Sequence, residues 1–241
     1  MKFAAVIFDL DDTLCDDTAS YHGAAELVAH EIAALHGIEM LALKSAYIDV
    51  SEGYWQKLSR DQLGTRLQPL RAMLWQEALS LCGLDEAGLA ERCADAYHDH
   101  RRSNLKLFPG AVELLTALRG RGIKLGLLTN GFAETHREKI AILQIGDFFD
   151  AIFIADEVGM IKPDPRVFRH ACETLGSEPS CSAMVGDRYD RDIIGALDAG
   201  MYTVFMNIHG ITLSPAARAP HVTVADLSGV PAALGIPAPG F

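Results

Sequence analysis

Asp9 and Asp11 stand two positions apart at the end of the apolar run Val6-Ile7-Phe8, with the hydroxyl of Thr13 two positions further on. The uninterrupted apolar stretch over residues 3–8 predicts a short buried strand. A carboxylate that follows such a strand surfaces at its carboxyl edge, where open α/β sheets bind ligands. One aspartate could act there as nucleophile and metal ligand and the other as acid and base, a division of labour that suits phosphoryl groups. Taken alone, the same residue types serve equally well as turn or helix-cap residues, so partners elsewhere in the chain must decide.

Three such partners follow apolar runs further along. Thr129, Asn130 and Gly131 close the run Leu127-Leu128 just before a helical segment, where side-chain donors and backbone N–H groups can cradle a phosphate. Ile161-Lys162-Pro163-Asp164-Pro165 puts a lysine in a loop stiffened by two prolines, an ammonium placed to neutralise a phosphate and crowded carboxylates. Val185-Gly186-Asp187 ends another apolar run, and Asp187 with Asp9 would make the oxygen-only donor set that Mg²⁺ prefers. Asp12 and Asp190 read as caps or surface acids.

The elements that must position these residues are legible in the hydrophobic periodicity. From about Thr18 to Arg102 the pattern is helical, with helices predicted near 24–35, 39–51, 68–82 and 86–102 and short connections that suggest a small bundle. From Leu107 onward helices near 110–119, 133–144, 164–175 and 190–199 alternate with strands at 123–128, 151–155, 183–185 and 202–206. Such alternation predicts a parallel sheet with helices on both faces, and the first strand joins it. The expected division is therefore an α/β core of residues 1–16 and 105–241 and a helical insert of residues 17–104, with a loose tail after Ile236.

Composition narrows the function classes. Of the 241 residues 49% are apolar, enough for a sizeable core, and a net charge of −11 disfavours nucleic acid as a partner. Cys15, Cys82, Cys93, Cys172 and Cys181 are odd in number and form no CxxC pair, so reduced structural thiols are expected. No stretch has the pattern of a signal peptide or the length of a membrane span, which leads to the expectation of a soluble cytoplasmic protein. His209 and the other eight histidines show no metal-ligand spacing and receive no catalytic role.

In order and position, the four motifs around Asp9, Thr129, Lys162 and Asp187 resemble those of the haloacid dehalogenase-like hydrolase superfamily, over nearly the whole chain. The resemblance implies a Rossmann-like core with a type-1 helical cap inserted after the first motif. It implies that Asp9 is the nucleophile that forms an aspartyl-phosphate. Asp11 would be the acid/base and would lend its backbone carbonyl to Mg²⁺, with Asp9 and Asp187 as the other metal ligands. Thr129 and Lys162 would hold the phosphoryl group with Asn130 nearby, Thr13 would orient the nucleophile, and Asp192, the second acid of the GDxxxxD pattern, would support the site. Residues near 15–20 and 103–108 would act as hinges for the cap.

Asp11 separates this chain from the 2-haloacid dehalogenases, which lack the second aspartate, and Leu10-Asp11 from the phosphonatases, which carry Ala there. The expected activity is Mg²⁺-dependent hydrolysis of a small phosphate monoester. A phosphomutase keeps both aspartates and is the enzymatic alternative, and a non-catalytic phospho-ligand binding protein is the alternative from another class. The stretches 13–19, Leu70-Arg71, Trp75 to Ala78, Arg137-Glu138-Lys139-Ile140 and 207–211 are similar to the branch of N-acylneuraminate-9-phosphatases and pyrimidine 5′-nucleotidases. A sugar phosphate and a nucleotide both remain open as substrate. Arg71 is expected to face the active site and read an anionic group of the substrate, whereas Trp75 reads as cap core. The partner would be a small phosphorylated metabolite, without nucleic acid or membrane, acting on a monomer or homodimer.

Overall fold

The apolar run at the start becomes β1 (Ala5–Phe8), all four residues buried, in a computed structural model that describes residues 3–64 and 66–237. Asp17–Lys106 forms one compact unit, and the segments on either side of it form the other.

The first unit consists of α1 (Asp17–His36), α2 (Met40–Gln56), α3 (Leu67–Leu81) and α4 (Leu89–Asn104). Each helix touches the next, and α4 returns to α1, closing a four-helix bundle. Its centre is aromatic. Trp75 is fully buried and stacks on Tyr47 with ring centroids 3.8 Å apart, while Tyr97 meets both rings edge-on. The spacing of Leu67, Leu70, Leu74 and Ala78 along α3 supplies the apolar stripe that carries Trp75 inward. The two ends of the bundle are tied together: Arg101 Nη2 donates to both carboxylate oxygens of Asp17 at 2.6 and 2.7 Å, and Ser20 Oγ donates to the Arg101 carbonyl at 3.0 Å.

The second unit adds α5 (Ala111–Arg119), β2 (Lys124–Thr129), α6 (Ala133–Leu143), β3 (Ala151–Ile154), α7 (Ala155–Val158), α8 (Pro165–Thr174), β4 (Ser182–Gly186), α9 (Ile194–Ala199), β5 (Tyr202–Met206), β6 (Val222–Val224) and α10 (Val230–Ala233). Six strands form one parallel sheet in the order β3-β2-β1-β4-β5-β6, with helices on both faces, as the alternation in the sequence predicts. Ile7, Leu128, Phe153 and Met184 of the sheet meet Val167, Phe168 and Ala196 of the helices in one core cluster. β6 escapes sequence reading because it is three residues long and only partly buried, so it has no apolar run to announce it. The segment predicted as a helix over 190–199 opens instead with one π-helical turn, Tyr189–Ile193, before α9. Residues 238–241 of the expected tail lie outside the described residues. Among the described residues no helix is long and apolar enough to cross a membrane.

Strand order matters for the site. The sheet reverses direction of growth at the β1–β4 pair, and the crevice outside the carboxyl ends of such neighbouring strands is where parallel sheets bind ligands. Phe8, the last residue of β1, sits in register with Leu127 of β2 and Val185 of β4, so the residues that follow all three strands emerge side by side.

Candidate active site

Beyond Phe8 the ladder continues for one more bond, from Asp9 N–H to the Val185 carbonyl at 2.9 Å, which fixes Asp9 at the sheet edge. The chain then coils tightly. The N–H groups of Leu14 and Cys15 both donate to the Leu10 carbonyl, and Asp12, with φ of 53°, donates to the Cys15 carbonyl at 2.9 Å. This turn holds Asp11 and Thr13 over the strand ends. Cys15 pairs with Leu107, and Phe108 N–H donates to the Leu14 carbonyl at 2.9 Å, so the chain leaves and re-enters this unit at one place.

Lys162 is the cation beneath the nucleophile candidate. It is almost wholly buried, with Nζ 2.9 Å from Asp9 Oδ1, 2.7 Å from Asp192 Oδ1 and 2.9 Å from the Leu128 carbonyl, to which it donates. Burial pulls its pKa down, and the attractions of Asp192 and Asp9 outweigh this and raise it, so the ammonium stays charged. Asp9 is pushed up to about 6, chiefly by burial and further by Asp192 and Asp11, against the opposing pull of Lys162. Asp192 is fully buried and its Oδ2 also accepts from the Arg188 N–H at 3.0 Å. Gly186 makes room for it: a Cβ there would lie 2.3 Å from Asp192 Oδ2.

Asp187 completes the acidic cluster. Its carboxyl is raised well above the usual range, first by burial and then by the like charges of Asp192, Asp9 and Asp12. The Thr13 hydroxyl donates to Asp187 Oδ1 at 3.2 Å, so this residue orients the second acid, where the sequence reading assigns it to Asp9. His209 Nε2 lies 3.6 Å from Asp12 Oδ2 and 3.9 Å from Asp187 Oδ2. Asp9, Asp187 and Asp192 each offer an oxygen within 4.8 Å of the others. A buried all-oxygen donor set whose carboxylates outnumber the one lysine among them fits a hard divalent cation.

Asp11 has the opposite environment. Lys139 Nζ is 2.7 Å from its Oδ1 and His136 Nε2 is 3.4 Å from its Oδ2. Burial alone would raise its pKa, but Lys139 and His136 overcome this and hold the carboxyl well below the usual range. Both partners lie on α6, which begins at Ala133, one residue beyond the cap Phe132 that follows Gly131.

The phosphate-cradle candidates divide. Thr129 is buried at the last position of β2, two residues beyond Leu127, the partner of Phe8 in the sheet. Asn130 is turned toward the lysine loop: its Nδ2 donates to the Lys162 carbonyl at 2.9 Å and its Oδ1 accepts from the Lys162 N–H at 2.8 Å. A cis peptide joins Lys162 to Pro163. In the helical unit Arg71 is buried, with Nη1 2.8 Å from His98 Nδ1 and its guanidinium over the Tyr97 ring.

Lys139 and His136 received no role from the sequence. The available signal was their spacing of three on a helix that starts at the Thr129-Asn130-Gly131 motif, which puts both on one face.

Comparison with known proteins agrees with this geometry. A family model described as haloacid dehalogenase-like hydrolase matches residues 3–200. Over 240 residues the chain is 35% identical to the N-acylneuraminate-9-phosphatase of Mus musculus, covering 97% of this chain and 94% of the relative. It is 34% identical to the glyceraldehyde 3-phosphate phosphatase of Methanopyrus kandleri, over 83% of this chain and 82% of the relative. The solved HAD-hydrolase YfnB of Bacillus subtilis shares the fold with a TM-score of 0.76 at 22% identity, covering 98% of this chain and 100% of that one.

Proposed function

Because the chain belongs to the haloacid dehalogenase-like hydrolases, we propose that it is a Mg²⁺-dependent phosphatase that cleaves small phosphate monoesters through an aspartyl-phosphate on Asp9. The observation that carries this is the contrast between two neighbouring aspartates. Asp9 sits beside a buried lysine at the cation site, whereas Asp11 is held by a separate lysine and a histidine. Each carboxyl thus has its own cation and its own place, which leaves one to attack and the other to move a proton.

In the first step an Asp9 oxygen attacks phosphorus as the bond from phosphorus to the ester oxygen breaks, and Asp11 passes a proton to the departing oxygen. Phosphate monoesters have a second pKa of roughly 6, so the substrate itself can bring that proton in. In the second step Asp11, again a carboxylate, takes a proton from water as the water attacks phosphorus, and inorganic phosphate leaves Asp9. Lys162 balances charge on the nucleophile and on the phosphoryl oxygens, and it bonds the carbonyl of Leu128, the residue before Thr129 at the end of β2. Asp9, Asp187 and the Asp11 backbone carbonyl would hold Mg²⁺, which supplies Lewis-acid compensation of the phosphoryl charge when bound. Thr13 and Asp192 are supporting residues: one bonds Asp187 and the other holds Lys162 in place.

For the substrate we propose a sugar phosphate bearing a second anionic group, read by Arg71 of the helical unit acting as the specificity cap. The near full-length similarity to an N-acylneuraminate-9-phosphatase supports this choice over a nucleotide. The test is phosphate release from p-nitrophenyl phosphate with and without Mg²⁺, followed by a panel of about a hundred phosphate monoesters ranked by kcat/KM. Mg²⁺-dependent turnover with acidic sugar phosphates at the top is expected. Folded protein that releases no phosphate from any ester would overturn the phosphatase reading, and nucleotides at the top would overturn the substrate choice.

A further inference from the structure

Resting on that phosphatase reading, the structure assigns His136 and Lys139 as positioning residues that lock the Asp11 carboxyl into one orientation for proton transfer, with Gly131 shaped to admit His136.

The two face different oxygens of Asp11, Lys139 Nζ bonding Oδ1 at 2.7 Å and His136 Nε2 standing 3.4 Å from Oδ2, so together they bear on the plane of the carboxyl as well as its place. Both are 5% exposed, although Glu134 and Arg137 on the same helix reach solvent. A lysine is almost never buried without a partner, and here the partner is Asp11. The histidine ring is itself set: Nδ1 donates to the Phe132 carbonyl at 3.1 Å, which leaves Nε2 aimed at Asp11. The space beside the ring is reserved by the absence of a side chain at Gly131, where a Cβ would lie 2.1 Å from His136 Cε1.

This gives the Thr129-Asn130-Gly131 motif a second task. The segment that presents Thr129 at the sheet edge runs straight into α6, so the phosphate cradle and the anchor of Asp11 belong to one continuous piece of chain. The two aspartates are then held by independent lysines, Asp9 by Lys162 and Asp11 by Lys139. Arg137-Glu138-Lys139-Ile140, a stretch that carries part of the resemblance, acquires a physical reason in Lys139.

The test compares esters that need a proton on the leaving oxygen with one that does not. kcat/KM, which reports formation of the aspartyl-phosphate, is measured for p-nitrophenyl phosphate and for the fastest alkyl phosphate of the panel. The variants are Lys139→Met, Lys139→Arg, His136→Asn, Gly131→Ala and Asp11→Asn. Positioning of the acid predicts that Lys139→Met loses about 10²-fold or more on the alkyl ester and less than about 10-fold on the aryl ester. His136→Asn and Gly131→Ala should show the same split in smaller degree, and Lys139→Arg should recover part of it. Lys139→Met added to Asp11→Asn should cost nothing further, since both act on one group. Equal losses on the two esters across the variants, or full additivity with Asp11→Asn, would overturn the assignment while leaving the phosphatase reading intact. A wild-type protein inactive on every ester would overturn both. If Lys139→Met fails to fold, His136→Asn and Lys139→Arg carry the same comparison.

Discussion

Asn130 and Lys162 clasp each other in both directions, amide nitrogen to carbonyl at 2.9 Å and backbone N–H to amide oxygen at 2.8 Å, across loops that follow different strands. The bond aligns the loop that ends β2 with the loop that sends Lys162 under Asp9. Replacing Asn130 with Ala should cost about 1–3 kcal/mol of stability, the value of two partly buried hydrogen bonds and the backbone groups left behind. Because Lys162 loses its frame, inhibition by inorganic phosphate should also weaken, and thermal melts with phosphate titrations check both effects. Asn130→Asp should be worse, since a carboxylate would face the Lys162 carbonyl.

Asp9→Asn should abolish turnover, by roughly 10³-fold or more, because an amide oxygen does not attack phosphorus. Stability should hold or rise, as the substitution removes a charge from a buried cluster of like charges. Circular dichroism and a melting curve beside the activity assay separate the two. Retained turnover would mean that another residue is the nucleophile.

Metal binding should be tied to pH in a defined direction. In the metal-free protein Asp9 is raised from 3.8 to about 6 by burial, and Asp187 is raised by burial and its acidic neighbours. A carboxyl whose folded pKa exceeds its unfolded one contributes stability below the unfolded value and loses it as pH climbs through the folded value. The metal-free Tm should therefore fall between about pH 4 and pH 7 on account of these groups. Asp11 is shifted the other way, so its contribution persists through this window and fades only in stronger acid. Added Mg²⁺ should raise Tm more at about pH 7.5 than at pH 5, where protons compete for the ligands, as differential scanning fluorimetry can read.

Two glycine substitutions should differ in sign. Gly186→Ala drives a Cβ to 2.3 Å from Asp192 Oδ2, which must move and take its pairing with Lys162 along. A loss of about 2–4 kcal/mol is expected, with a fall in activity. Gly53→Ala lies within α2 and meets nothing within 4 Å, so it should stabilise by roughly 0.5–1 kcal/mol through helix propensity. Denaturant melts of both variants make the comparison.

Arg71→Ala should reorder the ester panel. If its guanidinium reads a second anionic group, substrates that carry one should lose about 10-fold or more in kcat/KM relative to those that do not. A uniform change across the panel would confine Arg71 to packing beside Tyr97 and His98.

Much of the α/β unit could be read in the chain because each strand is a short apolar run that ends in a chemically distinctive residue. Asp9, Thr129 and Asp187 follow or close β1, β2 and β4, and parallel pairing alone brings them together. Contacts made by side chains across loops were beyond such reading. That Thr13 bonds Asp187, that Asn130 spends its amide on the Lys162 backbone, and that Lys139 finds Asp11 all depend on how α6 and the turn after β1 are rotated. Periodicity shows which face of a helix is apolar. It does not show which buried polar residue on that face meets a partner more than a hundred positions away. β6 was silent for a simpler reason, its three half-exposed residues.

The central place of β1 has a consequence for how the chain is made. Ala5–Phe8 is made before its partners β2 and β4, which begin at Lys124 and Ser182, after the whole of Asp17–Lys106. The helical segment is contiguous and local in its contacts, so it can condense early, while β1 waits unpaired until β2 and β4 are made. Four buried apolar residues in a waiting strand are a site of misassociation, and a chaperone that binds such segments would meet this one before its partners emerge. Asp9, proposed above as the nucleophile, is thus synthesised before both neighbouring strands and set in place only after β4 has emerged.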